Sequence, residues 1–401
     1  METITRVDVT EAYSPGEPGA ATCPESSTVP TLPLAYASRR LYQPPLPAEY
    51  QLLSPDEVDS RLARARQLLG RRVVVLGHHY QRDEIVKFAD FLGDSLKLSQ
   101  QAATRRDAEF IVFCGVHFMA ESADMLSAPE QQVILPNLEA GCSMADMADL
   151  DAVRECWQAV GELCGAGPIP VTYINSTAAV KAFCGARGGI VCTSSNAPAV
   201  LRWALARGER VLFLPDQHLG RNTARQLGLD PADIVLWDPA EPLGGNSAAA
   251  LRRARLLLWQ GYCSVHMRFT VAQIEQARER HPGIKVIVHP ECRAEVVLAA
   301  DAAGSTEFIA KAIAEAPAGS RWAVGTEINL VSRLARRHPD KLIFCLDPVV
   351  CPCSTMYRIH PAYLLWALEE LLAGRVVNRV AVPAEVAQQA RLALERMLAI
   401  A

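Results

Sequence analysis

The sequence predicts an α/β fold made of three similar modules with parallel sheets. Short apolar runs such as VVVLG at 73 and VLFLP at 211 are followed by a polar or Gly-containing turn and then an amphipathic stretch. Runs that are apolar on both faces are typical of strands buried inside a parallel sheet. The apolar runs fall into three comparable sets. The first run of each set ends in a polar cluster, which is GHHYQ at 77, TYINST at 172 or VHPECR at 288. We therefore expect a threefold repeat of a small strand–helix module.

Each set continues with further strand–helix units. The three sets share negligible sequence identity, so three unrelated small domains would give the same pattern. Ligands of parallel α/β sheets bind beyond the carboxyl ends of the strands, where all the polar clusters lie. Modules that face one another would bring these clusters to one central site. The additional runs are FIVFCG at 110, VILP at 133, IPVTYIN at 169, GIVCTS at 189, IKVIVHP at 284, ADAAGS at 300 and WAVGTE at 322.

Composition indicates the class of protein. The chain has 401 residues, of which 50% are hydrophobic, and is long enough for two to three domains with a large core. The net charge of -4 lacks the basic excess that binding to a nucleic-acid backbone requires. No apolar run is long enough to span a membrane, and the first residues lack the apolar stretch of a secretory signal. We expect a cytoplasmic protein that binds neither nucleic acid nor a membrane.

Local composition marks where regular structure begins and where it is interrupted. Residues 1–50 are rich in Pro, Ala, Ser and Thr without periodicity, which predicts a mobile, disordered arm. A helix is predicted next, with Ser54 as its N-cap, Pro55 in its first position and Gly70 at its end. The Pro- and Gly-rich stretch 231–250 breaks the strand–helix rhythm and is interpreted as a surface excursion.

The twelve cysteines do not predict a disulfide scaffold, because the expected compartment is reducing. The candidates for metal ligands are Cys142 in GCSM, Cys263 in QGYC, and Cys351 and Cys353 in CPC. Three thiolates in a shielded pocket can hold an iron–sulfur cluster and leave one iron open as a Lewis acid. The chain has no compact CxxCxxC motif, so residue types alone favour ordinary buried thiols. A local metal site at Cys345, Cys351 and Cys353 is the lesser alternative.

Polar residues at the strand ends could carry acid–base chemistry. His78, His79 and Tyr80 supply donors within one turn, and His289 with Glu291 could pair an imidazole with a carboxylate. No GxGxxG follows a strand and no P-loop motif occurs, which disfavours nucleotide sites of those two classes. The Gly-Gly pair at 244–245 could cradle a phosphate, but an ordinary loop is the preferred interpretation.

The ordered motifs resemble the quinolinate synthase family from about residue 55 to the C-terminus. The resemblance implies three α/β modules around a pseudo-threefold axis, with the active site at the centre. We expect modules at 51–145, 146–262 and 263–354, with C-terminal helices in 355–401 packing on the first. The strings that carry the resemblance, in family order, are GHHYQRDEI, GDSLKLSQ, GVHFMAES, LEAGCSM, YINSTAAVKA, CTSSNA, PDQHLGRN, QGYCSVH, VHPECR, GSTEFI and GTEINL.

The resemblance also implies a 4Fe-4S cluster held by one cysteine from each module. By motif, the ligands are Cys142, Cys263 and Cys351, which would leave one iron open to substrate. Cys351 is preferred over Cys353 because the family places this ligand five residues before the position of Met356. The Gly-rich CGARGG at 184–189 departs from the family pattern.

The reaction implied is the condensation of iminoaspartate with dihydroxyacetone phosphate to quinolinate in NAD biosynthesis, with release of phosphate and two waters. Glu291, Tyr80 and His78 are the candidates for proton transfer. L-aspartate oxidase, as the source of the unstable imine, is a possible transient partner. Alternatives are a hydro-lyase or aldolase of similar architecture and an iron–sulfur redox sensor. The expected substrate-binding residues are His78, Asp94, Ser95, Tyr173, Asn175, Ser194, His289, Glu291, Ser305 and Thr306, and Glu327 matches a further family position.

Overall fold

Three sheets organise the chain in the computed structural model, which describes residues 42–349 and 352–400. The strand orders are β14-β4-β3-β1-β2, β6-β5-β7-β9-β8 and β11-β10-β12-β13. The strands are β1 (Val73–His78), β2 (Phe91–Gly93), β3 (Phe110–Cys114), β4 (Gln132–Ile134), β5 (Ile169–Tyr173), β6 (Ile190–Cys192), β7 (Val211–Leu214), β8 (Ile234–Trp237), β9 (Leu256–Trp259), β10 (Lys285–Val288), β11 (Ala302–Ala303), β12 (Arg321–Gly325), β13 (Leu342–Cys345) and β14 (Arg379–Val380).

The three sheets share one topology, which confirms the predicted α/β fold of three similar modules. In each sheet the first strand in sequence, β1, β5 or β10, lies between the second and the third. The first and third strands pair in parallel, with Val75 opposite Val112, Val171 opposite Phe213 and Ile287 opposite Val324. We refer to the sheets, with the helices that follow their strands, as the first, second and third modules.

Helices cover the sheets and explain why the strand sequences are uninterrupted apolar runs. Every residue of β1, β3 and β7 is buried, so neither face of these strands needs polar side chains. The helices are α1 (Ala48–Gln51), α2 (Pro55–Leu69), α3 (Asp83–Val86), α4 (Ser95–Thr104), α5 (His117–Leu126), α6 (Ser143–Asp146), α7 (Leu150–Cys164), α8 (Ala178–Ala186), α9 (Ala197–Leu205), α10 (Gln217–Gln226), α11 (Ala248–Arg253), α12 (Val271–Arg280), α13 (Ala294–Ala299), α14 (Thr306–Glu315), α15 (Ile328–Arg337), α16 (Pro361–Leu372) and α17 (Ala384–Ile400).

The residues predicted to begin and end the first long helix occupy the expected positions. Ser54 and Glu57 form a capping box at the beginning of α2, with Pro55 in its first turn. Gly70 ends this helix with a φ of 51°, in the left-handed region that glycine adopts without a Cβ clash. No helix in the described part of the chain is both long enough and apolar enough to cross a membrane.

The stretch 231–250 is not the surface excursion that its Pro and Gly content predicts. It contains β8, which pairs in parallel with β9 at the edge of the second sheet. The Gly-Gly pair at 244–245 forms a turn against Trp237, and a Cβ atom at Gly244 would overlap the Trp237 ring. The strand does carry a short apolar run, IVLW, but the Pro and Gly residues around it are typical of a loop.

Residues 42–50, the last part of the predicted mobile arm, form contacts with the rest of the protein. The side-chain oxygen of Gln43 accepts hydrogen bonds from the Leu138 N–H at 2.6 Å and from the Asn378 side chain at 3.1 Å. Tyr50 is buried, and its hydroxyl donates to Glu369 at 2.8 Å. The prediction of a mobile arm is therefore wrong for residues 42–50. Amino-acid composition does not indicate that individual side chains such as Gln43 and Tyr50 bind to the rest of the protein. Residues 1–41 lie outside the described part.

The two C-terminal helices pack on different modules, whereas the sequence analysis places both on the first. Helix α16 packs on α2 of the first module, where Arg61 donates to Glu369 at 2.9 Å. Helix α17 packs mainly along α8 of the second module. The close approach requires Gly185, because a Cβ atom there would overlap the carbonyl oxygen of Gln389. The Gly-rich sequence at 184–189 is thus a packing surface for the last helix.

We expect Gly185→Ala to destabilise the protein by about 2 kcal/mol, because the added methyl group forces α17 away from α8. The measurement is the midpoint of thermal unfolding. Gly161→Ala is the matched control, since Gly161 also lies within a helix and its nearest neighbour would be 3.5 Å from the new Cβ. That variant should keep or slightly raise the midpoint. Equal midpoints for the two variants would contradict the packing argument.

Candidate active site

A single cavity collects side chains from the carboxyl ends of strands in all three modules. The position agrees with the general rule for ligand sites of parallel α/β sheets. Most of the sequence-predicted site residues lie on its wall. The lining residues are His78, Tyr80, Asp94, Ser95, Leu96, Val116, Phe118, Met119, Cys142, Met144, Tyr173, Ile174, Asn175, Thr193, Ser194, Cys263, His289, Glu291, Thr306, Cys353, Thr355 and Met356.

Ser305 and Glu327, both predicted from the motifs, are not among the described residues that line the cavity. The Ser305 hydroxyl accepts a hydrogen bond from the Phe308 N–H at 3.3 Å and so caps helix α14. Its neighbour Thr306 does line the cavity. Cys351, the predicted third cluster ligand, lies outside the described residues. Cys353, the alternative, is on the cavity wall.

The turn after β1 presents two neutral donors to the cavity. The His78 Nδ1 atom accepts the Tyr80 N–H at 3.1 Å, so the ring hydrogen of the neutral imidazole is on Nε2. Burial lowers the pKa of His78 well below its ordinary value and raises the pKa of Tyr80 well above its own. The Tyr80 hydroxyl lies 2.7 Å from the Thr326 hydroxyl of the third module. Both side chains are therefore uncharged near pH 7.

The turn after β10 repeats this geometry with His289 and Glu291. The His289 Nδ1 atom accepts the Glu291 N–H at 3.3 Å, and burial lowers the pKa of His289 to about 3. Its ring stacks on the His266 ring, with centroids 4.5 Å apart. The neutral His289 therefore presents an Nε2–H donor, as His78 does.

Glu291 is the buried carboxylate of the site. One of its oxygens lies 2.8 Å from His266 Nδ1, and it also bonds to the Tyr173 side chain. Burial alone would raise the pKa of Glu291, but these neighbours outweigh burial and lower it. The largest lowering effect on the pKa of Glu291 comes from His266, whose Nδ1 lies closest to the carboxylate. Glu291 is therefore an ionised acceptor among neutral donors.

His266 is the residue that the sequence analysis missed. It lies three residues after Cys263, at the start of a 3₁₀ helix at His266–Arg268, and is buried. Its Nε2 atom lies 3.2 Å from the Thr326 hydroxyl, so one ring bridges Glu291 and Thr326. The string QGYCSVH contains this histidine, but only the fold shows that it meets Glu291. Cys263, His266 and Glu291 could together hold a metal ion, because their ligand atoms lie within 4.8 Å of one another.

The second module contributes hydroxyl and amide groups. Tyr173 is the last residue of β5, Asn175 follows this strand, and Ser194 follows β6. Burial raises the pKa of Tyr173 well above its ordinary value, so this side chain is a neutral donor. Asp94 of the first module caps α4 and accepts a hydrogen bond from Ser195 at 3.0 Å, which connects the two modules beside the cavity.

Comparisons with known proteins agree with the resemblance in the motifs. A family model described as quinolinate synthetase A protein matches residues 61–399. The quinolinate synthase of Corynebacterium glutamicum is 62% identical over 356 residues, which are 88% of this chain and 90% of that protein. That of Streptomyces coelicolor is 56% identical over 87% of this chain and 90% of its own length, and that of Anoxybacillus flavithermus 54% over 88% and 96%. The chain belongs to the quinolinate synthetase A family. It is therefore an enzyme, and the family predicted from the motifs is confirmed.

The cysteines on the cavity wall suit the thiolate ligands that the family resemblance implies. The sulfur of Cys142 is near the N–H groups of Met144 and Ala145, and that of Cys263 is near the His266 N–H. Burial raises the pKa of Cys142 to about 12, so a free thiol here is protonated. Backbone N–H donors favour a thiolate once a metal replaces the proton. The donor set therefore fits an iron–sulfur cluster in this quinolinate synthetase A family member.

Glu327 lies behind the cavity and is not among its lining residues. Its carboxylate accepts hydrogen bonds from the Asn329 N–H at 2.8 Å, the Asn329 side chain at 2.9 Å and the Cys353 N–H at 3.3 Å. Burial raises the pKa of Glu327 to about 7 in spite of these donors. The residue joins helix α15 to the segment that carries Cys353, so its contacts are with protein groups.

We expect the His289 ring to stay neutral between about pH 5 and pH 8, because burial disfavours its charged form. Nitrogen-15 NMR of labelled, iron-free protein would measure the protonation of each ring. His289→Gln identifies the signal by its loss. A ring signal of His289 that titrates near pH 6.5, the ordinary histidine value, would contradict the assignment of a fixed Nε2–H donor.

Proposed function

We propose that this chain is a quinolinate synthase of the cytoplasm. It would condense iminoaspartate with dihydroxyacetone phosphate to quinolinate in de novo NAD biosynthesis, releasing phosphate and two waters. The observation that carries the proposal is one cavity in which Glu291, neutral donors and three thiols converge from three modules. The names of the relatives, all quinolinate synthases, support the same reaction.

Substrate recognition would depend on neutral hydrogen-bond donors. Both substrates are anions, yet no Lys or Arg is among the described residues that line the cavity. Buried hydroxyl, amide and imidazole donors can hold carboxylate and phosphate oxygens when water is excluded. The residues in this role would be His78, Ser95, Tyr173, Asn175, Ser194, His289 and Thr306, with Asp94 holding Ser195 beside them.

Proton transfers would fall to Glu291, Tyr80 and His78. The reaction forms a carbon–carbon bond, expels phosphate, closes the imine nitrogen on a carbonyl and loses two waters, and each step moves a proton. Glu291, ionised in the free protein, would be the proton acceptor, with His266 Nδ1 2.8 Å from its carboxylate. The Tyr80 hydroxyl and the His78 Nε2–H are suited to donate to leaving oxygens. These roles require no change in oxidation state of the protein groups.

A 4Fe-4S cluster would be held by Cys142, Cys263 and Cys351. When bound, it would supply an open iron that acts as a Lewis acid toward a substrate oxygen. Cys142 comes from the first module, and Cys263 follows the last strand of the second. L-aspartate oxidase is the proposed source of iminoaspartate, through a transient contact that limits loss of the unstable imine.

Metal analysis of anaerobically purified protein tests the cluster and its third ligand together. We expect about four irons and four acid-labile sulfides per chain in the wild type and in Cys353→Ala, and their loss in Cys351→Ala. Cys353→Ala is the matched control, because it removes a thiol from the same CPC sequence. One zinc per chain after anaerobic reconstitution would contradict the cluster and favour a metal ion at Cys263, His266 and Glu291.

Glu291→Gln tests the acid–base assignment. We expect the rate of quinolinate formation to fall by roughly 10²- to 10⁴-fold, because the amide cannot accept a proton. Quinolinate is measured by chromatography with iminoaspartate generated in the assay, and cluster absorbance is recorded on the same samples. Glu295→Gln, an exposed change four residues away, should have no effect. Near-normal turnover of Glu291→Gln would refute the assignment, and absence of quinolinate from the wild type would refute the reaction.

A further inference from the structure

The peptide turn that carries Glu291 is held from outside its own module. The side-chain nitrogen of Asn222, in helix α10 of the second module, donates to the carbonyl oxygens of Pro290 and Cys292 at 2.8 Å each. These two carbonyls flank Glu291 directly. Asn222 is buried, and it does not line the cavity. One amide thus fixes the backbone on both sides of the buried carboxylate.

We propose that Asn222 is the positioning residue for Glu291, an inference that rests on the proposed function of Glu291. Both amide hydrogens point at carbonyl oxygens, so the side chain acts here only as a donor. The Asn222 side-chain oxygen has no hydrogen-bond partner among the described residues. The reverse orientation of the amide would place this oxygen against two carbonyl oxygens. The orientation is therefore fixed by the turn that it holds.

In the first and second modules, too, a side chain from another module forms hydrogen bonds with the backbone at or just after a site turn. Arg333 of helix α15, in the third module, donates to the carbonyl of His79 at 2.8 Å and to that of Gln81. Glu121 of helix α5, in the first module, accepts the Ala178 N–H at 2.9 Å, just after the turn that carries Asn175. Each holding helix follows the third strand of its module.

These three contacts form a closed cycle. The first module holds the turn of the second, the second holds that of the third, and the third holds that of the first. The residues held by Arg333 and Asn222 adjoin candidate site residues, and Ala178, held by Glu121, lies three residues after Asn175. The recurrence at equivalent helices argues that the Asn222 contact belongs to the construction of the site and is not an incidental surface contact. Of these three contacts, the one made by Asn222 holds the residues on either side of Glu291, the proposed proton acceptor.

Asn222→Asp removes the two donors with almost no change in shape. Its carboxylate would repel the two carbonyls and displace Glu291 from His266, so we expect kcat to fall by roughly 10- to 100-fold with little change in KM. Asn246→Asp is the matched control. The side-chain nitrogen of Asn246 also donates to two carbonyls, of Leu236 at 2.7 Å and Gly244 at 2.8 Å, in the β8 edge of the second module. This variant should keep the kcat of the wild type.

A double-mutant cycle shows whether Asn222 acts through Glu291. Steady-state rates are measured for Asn222→Asp, Glu291→Gln and the double variant, at high enzyme concentration and with cluster content determined for each. If Asn222 acts by positioning Glu291, the double variant should be within about threefold of Glu291→Gln alone. Losses that multiply, or equal losses in Asn222→Asp and Asn246→Asp, would overturn the proposal.

If Asn222→Asp does not fold, Asn222→Ala replaces it in the double-mutant cycle. The alanine variant removes both hydrogen bonds without adding a repulsive charge. The same criteria apply to it. Failure of this inference can be distinguished from failure of the proposed function. In the first case the wild type makes quinolinate and Glu291→Gln does not, while the Asn222 variants match the Asn246 control. In the second case the wild type itself makes no quinolinate or Glu291→Gln is fully active.

Discussion

The shared direction of the strands in three parallel sheets is the constraint on which the rest of this structure depends. Parallel strands end at one edge, so the first strand of each module delivers its polar turn to the same side of its sheet. With the modules facing one cavity, His78 and Tyr80, Tyr173, and His289 meet although they are far apart in sequence. His78, Tyr173, His289 and Glu291 are buried as well, and their protonation depends on this desolvation.

Electrostatics in the cavity follow from that burial. Desolvation keeps His78, His289, Tyr80 and Tyr173 neutral, and the backbone N–H groups of the turns fix which nitrogen of the His78 and His289 rings carries the hydrogen. Glu291 stays charged because His266 lies beside it. A site with one fixed anion and many neutral donors can bind anionic substrates only through aligned dipoles, so small displacements of a turn change its affinity and rate. The side chains that hold the turns are then as important as those that touch substrate.

Much of the fold could be predicted from sequence, because the central strands are continuous apolar runs and their ends carry distinctive polar strings. The edge strand β8 was missed because Pro and Gly residues surround its short apolar run, IVLW, and are typical of a loop. The packing of residues 42–50 was missed because Gln43 and Tyr50 act as single anchors in a segment of low complexity. Within the site, His266 could not be found from spacing, since its relation to Glu291 exists only after the second and third modules meet. Ser305 caps helix α14, a role that its sequence does not distinguish from ligand binding, and its contact with substrate stays a prediction.

Strand β14 has a consequence for synthesis of the chain on the ribosome. It pairs antiparallel with β4, placing Arg379 opposite Ile134, and so covers one edge of the first sheet with residues from the far end of the chain. Translation at roughly 5–20 residues per second leaves that edge open for tens of seconds after β4 has emerged. During this interval the unpaired backbone groups of β4 can recruit a strand from another nascent chain. Crowded polysomes are therefore where this protein is most exposed to misassembly, and where a chaperone would have the most effect.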